Sequence, residues 1–189
     1  MRSQGSTMNI EIRRIRGTTE AGICARLMAN CEPWITLQRD YAASLQTISA
    51  ASKEVYIALI AGEIVGFIIL NMHGAFVGYI QSICTSPQWR GRGIGSQLIA
   101  YAEKRIFREV PNAFICVSSF NESARRLYER LGYVVIGELK DFIISGYSEL
   151  LMRKTIAPLA EFKPQIQENI RISQERRPND RNEIQPSRD

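Results

Sequence analysis

The passage that most constrains this chain is residues 79–98, where the apolar run YIQSICTS leads into PQWRGRGIGSQL. Glycine stands at 91, 93 and 95, and from Ile94 the apolar residues Leu98, Ala102 and Ile106 recur at helical spacing. The pattern requires a strand, a glycine turn and then a helix over about 94–108. Such a junction gathers unpaired backbone N–H groups at the positive end of a helix dipole, a natural seat for phosphate. Spacing selects among phosphate ligands. A dinucleotide fingerprint needs G-x-G-x-x-G, but here the third glycine comes one residue early, and the run lies mid-chain after an antiparallel pattern. A loop ending in Gly-Lys-Ser/Thr is absent as well. What fits is R-x-x-G-x-G, read as Arg90, Gly93 and Gly95.

The rest of the chain places this junction in a fold. Ile10, Ile12 and Ile15 suggest a first strand over 9–15. A helix follows, with Thr18 or Thr19 as its cap and Ile23, Leu27 and Met28 on one face. Past Glu32-Pro33-Trp34, the spacing of Leu37, Tyr41, Leu45 and Ile48 predicts a second helix. Strands at 54–60 and 64–72 join through Ala61-Gly62, and a third covers 77–85. After the helix at 94–108, FICVSS (114–119) reads as a buried strand. Asn121 then caps a helix carrying Ala124, Leu127, Tyr128 and Leu131 on one face, ended by Gly132. Strands at 133–138 and 147–154 follow, with 139–145 open between strand and loop. This mixed order predicts an α+β domain over 9–157, a mostly antiparallel sheet flanked by helices. Residues 158–189 are polar and proline-punctuated and read as a flexible tail with one short helix near 164–174.

Charge narrows the ligand. The chain carries a net +5, and its last 32 residues hold six basic and six acidic groups, so the excess belongs to the folded part. An anionic ligand is expected there. No basic run with interleaved aromatics appears, which tells against nucleic acid. The four cysteines, 24, 31, 84 and 116, are scattered without metal-ligand spacing, so no metal site or disulfide framework is expected. The run VYIALIAGEIVGFIIL (55–70) is broken by Gly62-Glu63 and falls short of the ~20 apolar residues that a membrane span needs. No signal-peptide pattern opens the chain, so a cytoplasmic protein without membrane association is expected.

The segment IQSICTSPQWRGRGIGSQLI, together with NESARRLYERLGY about thirty residues on, resembles the GNAT superfamily of N-acetyltransferases. The two segments match that family's R-x-x-G-x-G loop and its N-x-x-A-x-x-L-Y-x-x-x-G-[FY] segment, and the resemblance covers about 9–154. It implies the GNAT fold, acetyl-CoA as co-substrate, and direct acetyl transfer to a primary amine on a small molecule or protein. The backbone of Arg90, Gly91, Arg92, Gly93, Ile94, Gly95 and Ser96 would then grip the pyrophosphate, with glycine wherever a β-carbon would hold it off. The Arg90 and Arg92 side chains stand open between added charge and plain surface positions. The main chain of Ile83, Cys84 and Thr85 would pair with the pantetheine arm. Asn121 would help to wall it, as well as capping its helix.

Tyr128 is the implied general acid, a neutral phenol positioned to protonate the leaving thiolate. The core-packing alternative for it rests on its shared face with Ala124 and Leu131. The family branch that acetylates ribosomal-protein N-termini carries a glutamate where this chain, aligned through Asn121, has Cys116. Base candidates are therefore Glu32, beside Trp34 in the helix-hairpin turn, and also Tyr79, Asp141 and Glu149. Cys116 lacks a histidine partner and His73, in a turn, reads as a surface residue. The rival function is an acyl-CoA-binding module without turnover. The cationic excess argues against a polycationic acceptor, and the sequence leaves the oligomeric state open, a homodimer included.

Overall fold

The computed structural model describes residues 9–165, and the helix expected near 164–174 falls almost wholly outside them. Its elements run β1 (Glu11–Arg14), α1 (Gly17–Ala29), α2 (Tyr41–Ile48), β2 (Lys53–Ile60), β3 (Glu63–Asn71), β4 (Tyr79–Thr85), α3 (Ile94–Ile106), β5 (Asn112–Ser118), α4 (Glu122–Arg130), β6 (Val134–Lys140) and β7 (Ser148–Thr155). Each strand and helix read from the pattern within the described residues is present, most with ends shifted by one or two residues.

The seven strands form one sheet in the order β1-β2-β3-β4-β5-β7-β6. Every neighbouring pair is antiparallel except β4 with β5. The β2–β3 hairpin turns on Ala61 and Gly62, both at positive φ, the geometry whose twist suits a two-residue turn. β2 and β3 are buried on both faces because the sheet is covered twice. On one side α3 and α4 contribute Leu98, Ile99, Ala102, Ile106 and Tyr128 to a core with Ile68, Leu70 and Ile80. On the other, α1 and α2 pack Cys24, Ala25, Met28 and Ile48 onto Ile57, Phe67 and Ile69.

The α1 face differs from expectation. Ile23 is 38% exposed, whereas Ala21, Gly22, Cys24, Ala25 and Met28 are buried. The stripe is rotated because small residues let the helix lie close on β3; of the expected trio Met28 is fully buried and Leu27 packs against the core half-buried. Nor does a threonine cap α1. The helix starts at Gly17, and the Glu20 carboxylate accepts the Arg16 N–H at 2.7 Å while it pairs with Arg13. α2 begins later than its apolar spacing suggested: Asp40 caps it by accepting the Ala43 N–H, which leaves residues 31–38 as turns. Beyond 157 the chain comes back to the segment after α3, where the Gln165 N–H donates to Arg108 O at 2.9 Å.

The feature that positions the site is a crack in the sheet. β4 and β5 pair only at Tyr79–Phe114 and Ile80–Ile115, then diverge. The β3–β4 register also slips between Ile69–Ser82 and Leu70–Ile80, which leaves Gln81 as the extra residue of a bulge.

Candidate active site

Two cavities flank the crack. The larger, about 680 Å³, runs from the glycine turn along the C-terminal half of β4 to α4. The smaller, about 440 Å³, lies over the paired ends of β4 and β5, between the α1–α2 turn and the β6–β7 loop. Trp34, Ile83, Asn121 and Tyr128 line both. A molecule in one cavity and a molecule in the other would meet at these four residues.

The larger cavity holds the phosphate-type turn. Gly93 occupies the N-cap of α3 at φ 81°, a left-handed conformation that strains any residue with a β-carbon. No side chain caps the helix. The N–H groups of Gly93, Ile94, Gly95 and Ser96 find no protein acceptor among the described residues, as a first helical turn leaves them. Gly95 is not required by packing: a Cβ there would stand 3.5 Å from Leu127 Cδ2, an ordinary contact. Its missing side chain keeps the amides open to the cavity, so the turn fits a pyrophosphate.

Arg90, Gly91, Gly93, Ile94, Gly95 and Ser96 all line this cavity, as do Ile83, Cys84 and Thr85 of β4. Arg90 is exposed, with its Nε 3.4 Å from Thr85 O. Arg92 is absent from the lining. Its guanidinium lies 4.8 Å from the centre of the Trp89 ring, stacked on the outside of the turn.

Asn121 performs its capping role, accepting the Ala124 N–H at 3.3 Å, and it lines both cavities as well. Tyr128 is 5% exposed, in the last turn of α4. Burial pushes its phenol well above the usual tyrosine value, so it stays protonated through the physiological range. Its ring lies 6.2 Å from that of Tyr133, a partner that fixes its orientation.

The carboxylate candidates separate sharply. Glu32 is exposed on the wall of the larger cavity, where it accepts the Thr36 N–H at 3.3 Å. Asp141 is exposed in the β6–β7 loop and accepts the Gly146 N–H at 2.7 Å, outside both linings. Glu149 is 5% exposed and lines the smaller cavity. It stands opposite Ser118 across β5 and β7, and the Ser118 hydroxyl donates to its Oε1. Burial raises the Glu149 carboxyl above the usual carboxylate value, and the Ser118 bond offsets part of that rise. Cys116 and Tyr79 share this cavity, and burial raises both of their acidities' midpoints, so neither is an anion at neutral pH. His73 is exposed in its turn.

The sequence reading did not single out Arg39, Lys53, Asn71, Gln81, Ser118, Phe142 or Ile143, all of which line the smaller cavity. Ser118 had a signal in principle, two residues after Cys116 on the same strand face. The others come from the α1–α2 turn, the far ends of β2 and β3, the bulge and the β6–β7 loop, places with no local motif.

Residues 22–133 match the model of the acetyltransferase (GNAT) family. The chain belongs to the GNAT family of acetyltransferases. Among curated proteins it is 37% identical over 79 residues to the mycothiol acetyltransferase of Acidimicrobium ferrooxidans, covering 39% of this chain and 26% of that one. It is 39% identical over 85 residues to the aminoalkylphosphonate N-acetyltransferase of Salmonella typhimurium, covering 41% and 54%. The GNAT match therefore spans between about a quarter and a half of the length of these relatives. A solved structure of an aminoglycoside 6′-N-acetyltransferase complexed with coenzyme A superposes with a TM-score of 0.63 at 17% identity, over 78% of this chain and 98% of that one. At that identity the likeness is one of fold. It confirms the α+β GNAT architecture expected from the motifs.

Proposed function

We propose that this GNAT protein is an N-acetyltransferase that moves the acetyl group of acetyl-CoA directly to a primary amine. The observation that carries the reading is the meeting of the two cavities at Trp34, Ile83, Asn121 and Tyr128. One cavity has the amide cradle for a pyrophosphate, and the other has a buried carboxyl. The solved relative of the same fold that binds coenzyme A supports the assignment of the larger cavity.

In this reading the amides of Gly93 to Ser96 hold the pyrophosphate, and the open edge of β4 beyond Ile80 pairs with the pantetheine arm. Arg92 adds long-range positive potential rather than direct contact. Glu149 takes a proton from the acceptor's ammonium, since a carboxyl raised by burial is a better base near neutrality than an ordinary one. The free amine nitrogen bonds to the thioester carbon. Backbone N–H groups of β4 beyond the Gln81 bulge steady the oxyanion. As the C–S bond breaks, Tyr128 gives its phenolic proton to the departing sulfur, and the proton that the acylated nitrogen sheds to become an amide returns through water to the phenolate. Glu32, facing the cofactor side, is assigned to the cleft wall and not to proton transfer.

The test is an acetyl-CoA turnover assay with a panel of amines, following free CoA thiol and the mass of the product. Amine-dependent thiol release with a product heavier by one acetyl group is the expected result. Acetyl-CoA binding without amine-dependent thiol release would overturn transfer, and failure to bind acetyl-CoA would overturn the cofactor assignment too.

A further inference from the structure

The charges of the smaller cavity have a polarity that the transfer chemistry does not use. Its lining contains three ionisable groups that carry or can carry full charge at neutral pH: Arg39, Lys53 and Glu149. Neither cation is ion-paired among the described residues. Arg39 Nη1 donates to Thr47 Oγ1 at 3.0 Å, and its other guanidinium donors are free for a ligand. Lys53 Nζ makes no hydrogen bond or ion pair among the described residues. Asp40, next to Arg39 in sequence, is committed to the α2 cap. Both cations are half-buried, so water screens them less than it would a surface pair. Glu149 does not neutralise them, because it stands on β7 beyond the crack, bonded to Ser118.

The register shows where the charges stand. Lys53 pairs with Asn71, and Asn71 with Tyr79, a row running across β2, β3 and β4 on the face that carries the cavity. Glu149 lies on β7, two strands beyond β4 on the other side of the crack. The Lys53 row meets β7 through Phe114 at Arg153, four residues along the strand from Glu149, so with strands ~4.8 Å apart the Lys53 and Glu149 backbones lie more than roughly 19 Å apart, at opposite corners of the cavity. Side chains reaching inward from both ends bracket an elongated ligand. Between them lie apolar walls from Trp34 and Phe142, and the buried Gln81 Oε1, which has no hydrogen-bond partner among the described residues.

We infer that the acceptor is a small primary amine bearing an anionic group, a carboxylate, phosphonate or phosphate. Arg39 and Lys53 bind the anion, and Glu149 faces the amine. The inference rests on the acetyl-transfer reading of this site and adds the class of acceptor. A cavity of about 440 Å³ is the size of a small-molecule site. A polyamine or aminoglycoside would bring several positive charges beside two unpaired cations, with one carboxyl to receive them. A neutral amine would leave both cations unanswered in a half-buried site.

The experiment uses the full chain at saturating acetyl-CoA with four straight-chain amines of matched length: an ω-amino carboxylate, an ω-aminoalkylphosphonate, the neutral alkylamine and the diamine. The better anionic amine is expected to exceed the neutral one in kcat/KM by at least tenfold, and the two anionic arms identify which anion is recognised. Arg39→Gln and Lys53→Gln are each expected to lower that ratio severalfold, through KM. Equal or better use of the neutral amine or diamine overturns the acceptor class while leaving acetyl transfer standing. Calorimetric binding of the four amines to the CoA-loaded protein separates the two readings. If no amine releases thiol, tight binding confined to the anionic amines and weakened tenfold by Lys53→Gln still supports the cavity's assignment. Absence of that binding overturns it.

Discussion

Ser118 and Glu149 face each other across β5 and β7, and the Ser118 hydroxyl donates to the Glu149 carboxylate inside the smaller cavity. The two residues are 31 positions apart, and strand pairing alone brings them together. That bond fixes the carboxyl's orientation without quenching it, since serine adds no charge.

Glu149→Gln separates chemistry from stability. Turnover is expected to fall by about 10²-fold or more, in the range of general acid–base effects. The sign for stability is opposite. The folded carboxyl holds its proton more tightly than the unfolded one, so its contribution to stability declines as pH rises from about 4.5 through the raised folded value. At neutral pH the buried charge is a liability, and glutamine removes it while still accepting from Ser118. Thermal melts at pH 7 should show a Tm equal to or above that of the parent protein.

The same carboxyl sets the acid limb of kcat/KM. Activity should fall as pH drops through a midpoint above the usual carboxylate value, and the limb should vanish in whatever residual activity Glu149→Gln retains. A pH–rate profile with an ordinary carboxylate midpoint would remove Glu149 from proton transfer.

Tyr128→Phe tests the acid. Acetyl-CoA affinity should stay within about twofold, and kcat should fall by about 10–10³-fold. Because burial holds the phenol protonated, no alkaline loss assignable to it is expected below the pH at which it ionises. Unchanged turnover would return Tyr128 to a packing role.

Gly95→Ala tests the cradle apart from the fold. The added methyl meets Leu127 Cδ2 at an ordinary 3.5 Å, and alanine is the better helix former by about 0.5–1 kcal/mol. Stability should hold or rise, while the Kd for acetyl-CoA increases at least tenfold. Calorimetric melts and equilibrium binding on the one variant check both halves.

Glu54→Gln probes the fold away from the site. Glu54 on β2 accepts Arg105 of α3 at 2.7 and 2.9 Å and the Tyr56 hydroxyl at 2.7 Å. Although burial opposes it, these partners hold the Glu54 carboxyl below its usual value of 4.5. Its stabilisation is thus present above that value and lost as pH falls through the lowered folded one. Denaturant titration of Glu54→Gln should show a loss of about 1–3 kcal/mol at pH 7 that shrinks in acid.

What was legible in the sequence was what is local. The apolar period over Ile94, Leu98, Ala102 and Ile106 required α3, and all four side chains are buried. The Asn121 cap and Gly132 stop bounded α4, and alternation located the strands. The α1 face was misread because its buried stripe is made of Ala, Gly and Cys, which carry little hydrophobic signal beside an exposed isoleucine.

The sequence by itself determined a mixed α+β domain with a glycine turn at the N-terminus of a helix, because capping, periodicity and glycine spacing act within a few residues of one another. Only the tertiary structure decided which carboxyl is buried against the smaller cavity. Glu32, Asp141 and Glu149 are alike as residues in a string. The splay of β4 from β5 and the register of β5 on β7 give Glu149 a buried place beside Ser118, and leave the other two exposed. The same long-range pairing puts Lys53, Asn71 and Tyr79 in one row across three strands. Contacts between residues far apart in the chain depend on register and sheet geometry, which no local pattern encodes.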